Sequence, residues 1–359
     1  MGKPITVVLA DDSALMRKKI REILERDSGI QVVGSARNGQ EAVDLVKQHE
    51  PSVVTMDINM PVMDGITALQ VIMMESPRAV IMLSSLTQEG ALTTFECIEL
   101  GAIDFVAKPS GTISLDIELQ AQEIITKVRT AARSRPGTPP RRRPVRERPA
   151  ERSATCQVRS DGLATQVVVI GVSTGGPKTL LDVLPFLPVD LRAAVLIVQH
   201  MPAAFTKPFA QRLNDSSLID IKESEPGDIL MNGKGYLARG GTHMTLAKRG
   251  HGGGALIRHT TFPADKPHIP SVDVMMNSAL EVFGKNIVGV LLTGMGDDGA
   301  DAMASIRRAG GRTIAEDEST CVVFGMPAQA IARGGAEFVL PVFDIPKKIV
   351  ELVATQTLI

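Results

Sequence analysis

Residues 167–176 read VVVIGVSTGG, and few folds can accommodate such a stretch. Positions 167–170 are apolar, mostly β-branched and uncharged. They are too short for a helix and suit a strand buried on both faces. Gly171, Gly175 and Gly176 permit a tight turn, and Pro177 is positioned to open a helix. Ser173 is then expected at the carboxyl end of a strand, just before a helix N-terminus. Open parallel sheets put their ligand sites there, and backbone N–H groups at such a point stabilise an anion or a developing oxyanion. The stretch alone admits three readings: a glycine-rich phosphate loop, a nucleophilic serine near a G-x-S-x-G elbow, or a plain strand-to-helix turn.

The same alternation runs through the first half. Strands are expected at 5–10, 30–34, 53–56, 79–83 and 103–106, separated by helical patterns, giving five β/α units by about residue 133. That order implies a parallel sheet with helices on both faces. Asp11, Asp12 and Asp57 fall at strand carboxyl ends, which brings them into one crevice. Three carboxylates there repel unless a cation joins them, and hard oxygen ligands suit Mg²⁺. Lys108, at the end of the fifth strand, brings a fixed positive charge. One strand-end aspartate is ordinarily a helix cap, but three with a lysine at matching ends exceed what capping explains.

In the second half a strand at 194–198 runs into Gln199, His200, Met201 and Pro202. Of the six histidines, only His200 falls at the carboxyl end of a continuous apolar strand. Another strand, 287–292, leads into Thr293, Gly294, Met295, Gly296, Asp297, Asp298 and Gly299. A serine, a histidine and an aspartate at parallel strand ends are the minimum for activating a hydroxyl. The order Ser, His, Asp differs from the Ser, Asp, His order of α/β-hydrolases. The glycine-rich region 223–262 suggests hairpins or an antiparallel edge, with strand-like pieces at 229–230, 236–238, 244–247 and 255–257. There His243 reads as a turn residue and a candidate substrate contact. Helices are expected at 272–283 and 300–308, and a strand-like run at 321–324.

A chain of 359 residues favours two domains. Residues 133–152 hold eight Arg, two Glu and five Pro, the composition of a solvated tether that cannot bury a core. With no Trp, one Tyr and ten Phe, stacking platforms for single-stranded nucleic acid are not expected. The net charge of −1 gives no global pull toward nucleic acid or membrane. No long apolar span suggests membrane insertion. Gly2 and Thr6 fit a myristoylation pattern, but a core strand is expected from residue 5. Cys97, Cys156 and Cys321 are odd in number and scattered, which fits a reducing cytoplasm better than a disulfide framework.

Asp11 with Asp12, MDINMP at 56–61 with Asp64 and Gly65, Ser84, and Lys108 with Pro109 resemble the signature of a response-regulator receiver domain over about residues 4–130. The resemblance implies a flavodoxin-like sheet of order 2-1-3-4-5. It implies that Asp57 accepts a phosphoryl group from a histidine kinase. Asp12, Asp57 and the Asn59 carbonyl would hold Mg²⁺, with Asp11 assisting. Ser84 would bond a phosphoryl oxygen, Lys108 would pair with the acyl phosphate, and Phe105 takes the switch-aromatic position.

Over about residues 164–355 the motifs GVSTGG, QHMP, GGTHM, PSVD, LTGMGDDG and VFGMP resemble the methylesterase domain of chemotaxis response regulators. This implies a second doubly wound α/β domain with a triad of Ser173, His200 and Asp298. Asp298 is preferred to Asp297 because the family's acid immediately precedes the final glycine. Backbone N–H groups near Thr174 and Met295 are the implied oxyanion donors. The implied activity is hydrolysis of glutamate methyl esters, and deamidation of glutamines, on chemoreceptors, with no cofactor for the esterase. An unphosphorylated receiver would pack across the esterase site, and phosphorylation of Asp57 would relieve this. Arg239 stands where Pro is usual and Ile269 where Arg is usual, which bears on receptor preference. Expected boundaries are 1–132 for the receiver, 133–163 for the linker and 164–359 for the esterase. A receiver with a non-catalytic binding module is the alternative.

Overall fold

The structure, a computed structural model, describes residues 3–85, 87–108, 120–133, 162–250 and 253–356. The chain divides into two compact units, Met1–Arg142 and Arg143–Ile359.

Among the described residues of the first unit five strands alternate with five helices: β1 (Ile5–Ala10), α1 (Ala14–Glu25), β2 (Ile30–Ala36), α2 (Gly39–His49), β3 (Val53–Asp57), α3 (Gly65–Glu75), β4 (Ala79–Ser85), α4 (Gln88–Leu100), β5 (Asp104–Lys108) and α5 (Ala121–Ala131). All pairings are parallel and the order is β2-β1-β3-β4-β5, as expected. β1, β3 and β4 are largely buried and rich in Val and Ile, while β2 alternates buried and exposed positions. The first four helices start where a short polar side chain takes up an orphan N–H: Ser13 from Met16, Asn38 from Glu41, Asp64 from Thr67 and Thr87 from Gly90. Val7, Leu9, Ile20, Ile23 and Ile81 share one core. β4 and β5 run further than expected, so Ser84 and Lys108 are strand residues.

The second unit holds β6 (Val167–Val172), α6 (Gly176–Val183), β7 (Ala194–Gln199), α7 (Ala203–Ser216), β8 (Asp220–Glu223), β9 (Lys234–Leu237), β10 (His243–Lys248) and β11 (Ala255–Thr260). Then come α8 (Val272–Phe283), β12 (Ile287–Leu291), α9 (Ala300–Arg308), β13 (Arg312–Glu316), α10 (Met326–Ala332), β14 (Phe338–Leu340) and α11 (Ile345–Gln356). Seven strands form a sheet of order β14-β13-β12-β6-β7-β9-β8. Every pairing in it is parallel, so the expected antiparallel edge is corrected. The glycine-rich region splits instead. β9 joins the main sheet alongside β7, while β10 and β11 form a separate antiparallel pair. Residues 229–230 contribute only an isolated bridge, and 321–324 form no strand beyond the bridge from Phe324 to Gly294.

The chain runs outward from β6 to β7, then returns to β12 on β6's other side. That reversal of direction opens a crevice at the carboxyl ends of β6 and β12. Most of the expected linker lies outside the described residues, as do Pro109 and Cys156. Its last two positions belong with the second unit: Asn232 N–H donates to Gly162 O, and Leu163 bridges Met231. Among the described residues, no helix is long and apolar enough to cross a membrane.

Candidate functional site

In the first unit the strand ends bring Asp11, Asp12 and Asp57 together, with one carboxylate oxygen of each within 4.8 Å of the others. Asp11 and Asp57 are buried and Asp12 is exposed. Lys108 Nζ lies 2.7 Å from Asp11 Oδ2 and 2.8 Å from Asp57 Oδ1. Burial pushes the Asp57 carboxyl above its ordinary range; the Lys108 charge pulls it back and the Asp11 charge adds to the rise. Burial lowers the Lys108 ammonium, but the two carboxylates outweigh it and hold that group high. Three hard carboxylates at one mouth fit a small divalent cation. Asn59 is exposed two residues past Asp57. The Ser84 hydroxyl donates to Gly90 O at 3.1 Å and accepts from Thr94 Oγ1 at 2.6 Å, so it is engaged with α4. Phe105 is buried edge-on to Phe95, with centroids 6.3 Å apart.

In the second unit Ser173 follows β6, His200 follows β7, and Asp298 lies on the loop after β12. His200 Nδ1 is 3.1 Å from Ser173 Oγ, and Nε2 is 2.8 Å from Asp298 Oδ2. A carboxylate only accepts, so Nε2 carries the proton and Nδ1 is the free base facing the serine. All three side chains are partly buried. Asp297 instead pairs with Arg333, away from the imidazole.

Asp298 also accepts from Ser271 Oγ at 2.8 Å, Val272 N–H at 2.7 Å and Asp273 N–H at 3.0 Å. It thus sits at the N-terminus of α8, where orphan amides and the helix dipole favour an anion. Burial pushes this carboxyl up, but His200 and the backbone donors outweigh it and hold the group well below the usual range. Gly171 makes that approach possible. It is a strand residue, not part of the turn, and a Cβ there would lie 2.3 Å from Val272 Cγ1. The turn falls to Gly175, at φ 78°.

The backbone at Ser173 is also fixed. Ser173 N–H donates to Thr293 O at 3.0 Å, and the Gln199 amide donates to Ser173 O at 3.0 Å. Thr174 is buried directly after Ser173. Gly294, just before the half-exposed Met295, packs so closely that a Cβ would lie 2.8 Å from Ser173 Cβ. The loops bearing both candidate oxyanion donors therefore flank Ser173.

His243 corrects an expectation. It is fully buried at the start of β10, accepting from Ser271 N–H at Nδ1 and reaching Pro263 O from Nε2. It opens a strand rather than a turn, and it buttresses the 263–271 loop. His268 on that loop stacks on His200 with centroids 4.0 Å apart. Sequence reading missed His268, Gln199 and Ser271 as parts of the site. Gln199 and Ser271 lay inside the QHMP and PSVD motifs with no role assigned to them, Ser271 also as a capping residue before an apolar helix, and His268 carried no signal.

The CheB methylesterase family matches residues 168–349, and the response regulator receiver domain family matches residues 7–120. The chain is 51% identical over 350 residues to a protein-glutamate methylesterase/protein-glutamine glutaminase of Carboxydothermus hydrogenoformans, covering 97% of this chain and 99% of that one. It is 49% identical to the protein of the same name in Caldanaerobacter subterraneus, over 96% of this chain and 95% of the other. The solved CheB methylesterase catalytic domain of Thermotoga maritima is 41% identical with a TM-score of 0.50, covering 52% of this chain and 98% of that chain. A non-catalytic output domain finds no support in these matches. Fold, site geometry and sequence agree, and the chain belongs to the CheB methylesterase family, with a response regulator receiver domain at its N-terminal end.

Proposed function

We propose that the chain is a phosphorylation-activated hydrolase that demethylates glutamate methyl esters, and deamidates glutamines, on chemoreceptors. The observation that carries the reading is the hydrogen-bonded series from Ser173 through His200 to Asp298. Ser173 Oγ attacks the ester carbonyl while His200 Nδ1 takes its proton. The imidazolium formed keeps its Nε2–H on Asp298, whose charge stabilises it. Backbone N–H groups of Thr174 and Met295 receive the oxyanion. The tetrahedral centre expels methanol, protonated by His200, and leaves an acyl-serine. Water, deprotonated by His200, then releases the glutamate side chain and restores Ser173. With glutamine the leaving group is ammonia. None of these steps calls on a cofactor.

In the receiver, Asp57 takes the phosphoryl group of a histidine kinase, and Lys108 pairs with the resulting acyl phosphate. Asp11, Asp12 and Asp57, with the Asn59 carbonyl, would hold Mg²⁺. The ion supplies charge neutralisation for phosphoryl transfer. Ser84 would leave Gly90 for a phosphoryl oxygen, a rearrangement in which Phe105 takes part. We assign residues 1–132 to the receiver, 133–163 to the tether and 164–359 to the esterase. A cytoplasmic location fits the scattered cysteines, and neither nucleic acid nor membrane insertion enters this account.

The test is methanol release from methylated receptor membranes. Ser173→Ala should lower it at least a thousandfold while leaving the melting curve unchanged. Release at the parent rate by that variant would sink the serine mechanism.

A further inference from the structure

Glu316 is a carboxylic acid in the wrong place for packing. It ends β13, is fully buried, and forms an ion pair with no cation among the described residues. Burying such a group is costly unless its oxygens are used. Here both are. Oε2 accepts from Thr293 N–H at 2.8 Å, and Oε1 accepts from Thr320 Oγ1 at 3.0 Å. Thr320 is fixed in turn, because its oxygen accepts from Val342 N–H at 3.0 Å.

Thr293 is where this matters. Its carbonyl accepts the Ser173 N–H at 3.0 Å. Its hydroxyl donates to Thr174 O at 3.0 Å and accepts from Val323 N–H at 2.9 Å. One residue thus grips the main chain on both sides of the nucleophile's side chain, and Glu316 grips that residue. We propose that Glu316 is a positioning residue for Ser173, acting through the Thr293 amide; the proposal rests on the reading of Ser173 as nucleophile.

The carboxyl supports this in either protonation state. Burial pushes it up to about 7, with the Thr293 N–H and the Thr320 hydroxyl drawing it down and the Asp182 charge adding to the rise. Acid and carboxylate are both populated near neutral pH, and each keeps an oxygen for Thr293. What Glu316 contributes is an acceptor rather than a charge, so an amide should replace it and a hydrocarbon should not. A misplaced nucleophile slows chemistry more than it weakens binding.

The experiment compares full-length Glu316→Leu, Glu316→Met and Glu316→Gln with the parent. Two readouts are used: methanol release from methylated receptor membranes, and the rate of Ser173 labelling by a fluorophosphonate. The Leu and Met variants should lose roughly 10- to 100-fold in kcat, from an amide left unpaired in the interior. KM should stay within about twofold and labelling should slow in parallel, whereas the Gln variant recovers to within about threefold. Parent rates in the Leu or Met variant, a Gln variant as slow as the Leu variant, or a loss confined to KM would each overturn the proposal. If the Leu variant lacks a melting transition, the Met variant decides. If both are unfolded and the Gln variant is not, the role is one of stability and the proposal falls. Ser173→Ala is run alongside; its activity would void the serine reading itself, a separate result.

Discussion

Two adjacent acids, Asp297 and Asp298, end up in different chemistry, and the difference lies in what surrounds each carboxylate. Asp298 accepts four hydrogen bonds, from His200, Ser271, Val272 and Asp273, whereas Asp297 is exposed and paired with Arg333. Glu316 is the opposite case, an acid whose surroundings favour the proton. A carboxyl with its folded pKa above the unfolded one binds its proton more tightly in the native state. Its stabilising contribution is complete below its ordinary value of 4.5 and is lost as pH rises through about 7. The loss is roughly 3 kcal/mol at about 1.4 kcal/mol per pKa unit. Glu316→Gln removes the titration. The Gln variant should therefore gain stability relative to the parent by about that amount between pH 5 and pH 8. Urea denaturation of both proteins across the range measures it, and a constant difference would show that Glu316 titrates normally. Ser173, His200 and Asp57 were legible because each lies at the carboxyl end of a largely apolar run. Glu316 also ends a strand, but nothing in the sequence around it says that its partner is Thr293, 23 residues back.

The elements that position the site meet through close approaches that a linear reading does not register. Gly171 reads as part of a turn, yet it is a mid-sheet residue that leaves room for Val272 at the start of α8. That contact puts the helix N-terminus over Asp298. Gly171→Ala would set a methyl group 2.3 Å from Val272 Cγ1, too close for either side to stay in place. Overpacking of this kind costs about 1–3 kcal/mol, and here the displaced helix carries the donors of Asp298. The variant should melt several degrees lower and lose about tenfold or more in kcat. A lower melting point with kcat intact would mean that α8 does not orient the acid. The strands with clear apolar runs, β6, β7 and β12, were visible for the same reason that they are central. β8 and β13 were not. Asp220–Glu223 alternates charge at a sheet edge, and Arg312–Glu316 carries a charge at each end of a short apolar stretch. β9 was seen as a strand but mispaired, because period-2 patterns and glycine turns do not distinguish a hairpin from a return to a parallel sheet.

At the scale of the whole chain, a receiver and an esterase share one polypeptide, and a relative matches over 97% of its length. Mass action gives the coupling its form. On the proposed reading phosphorylation would change the charge at Asp57, and that change can alter esterase rate only as far as the two activity states differ in affinity for the phosphoryl group. The Lys108 ammonium already bridges Asp11 and Asp57, so the added charge must reorganise an ion pair that exists beforehand. Methanol release should therefore rise severalfold when a small phosphodonor and Mg²⁺ are supplied together, and chelating the Mg²⁺ should abolish the rise. Asp57→Asn removes the acceptor oxygen but leaves Ser173, His200 and Asp298 intact. It should hold release at the basal rate whatever donor is present. An Asp57→Asn protein that still responds to donor would place the phosphoryl group elsewhere. A parent protein that ignores donor while Ser173→Ala abolishes release would leave the esterase standing and remove the receiver from its control. Both results come from one assay on the intact chain, so the chemistry of the second unit and the switching of the first can fail separately.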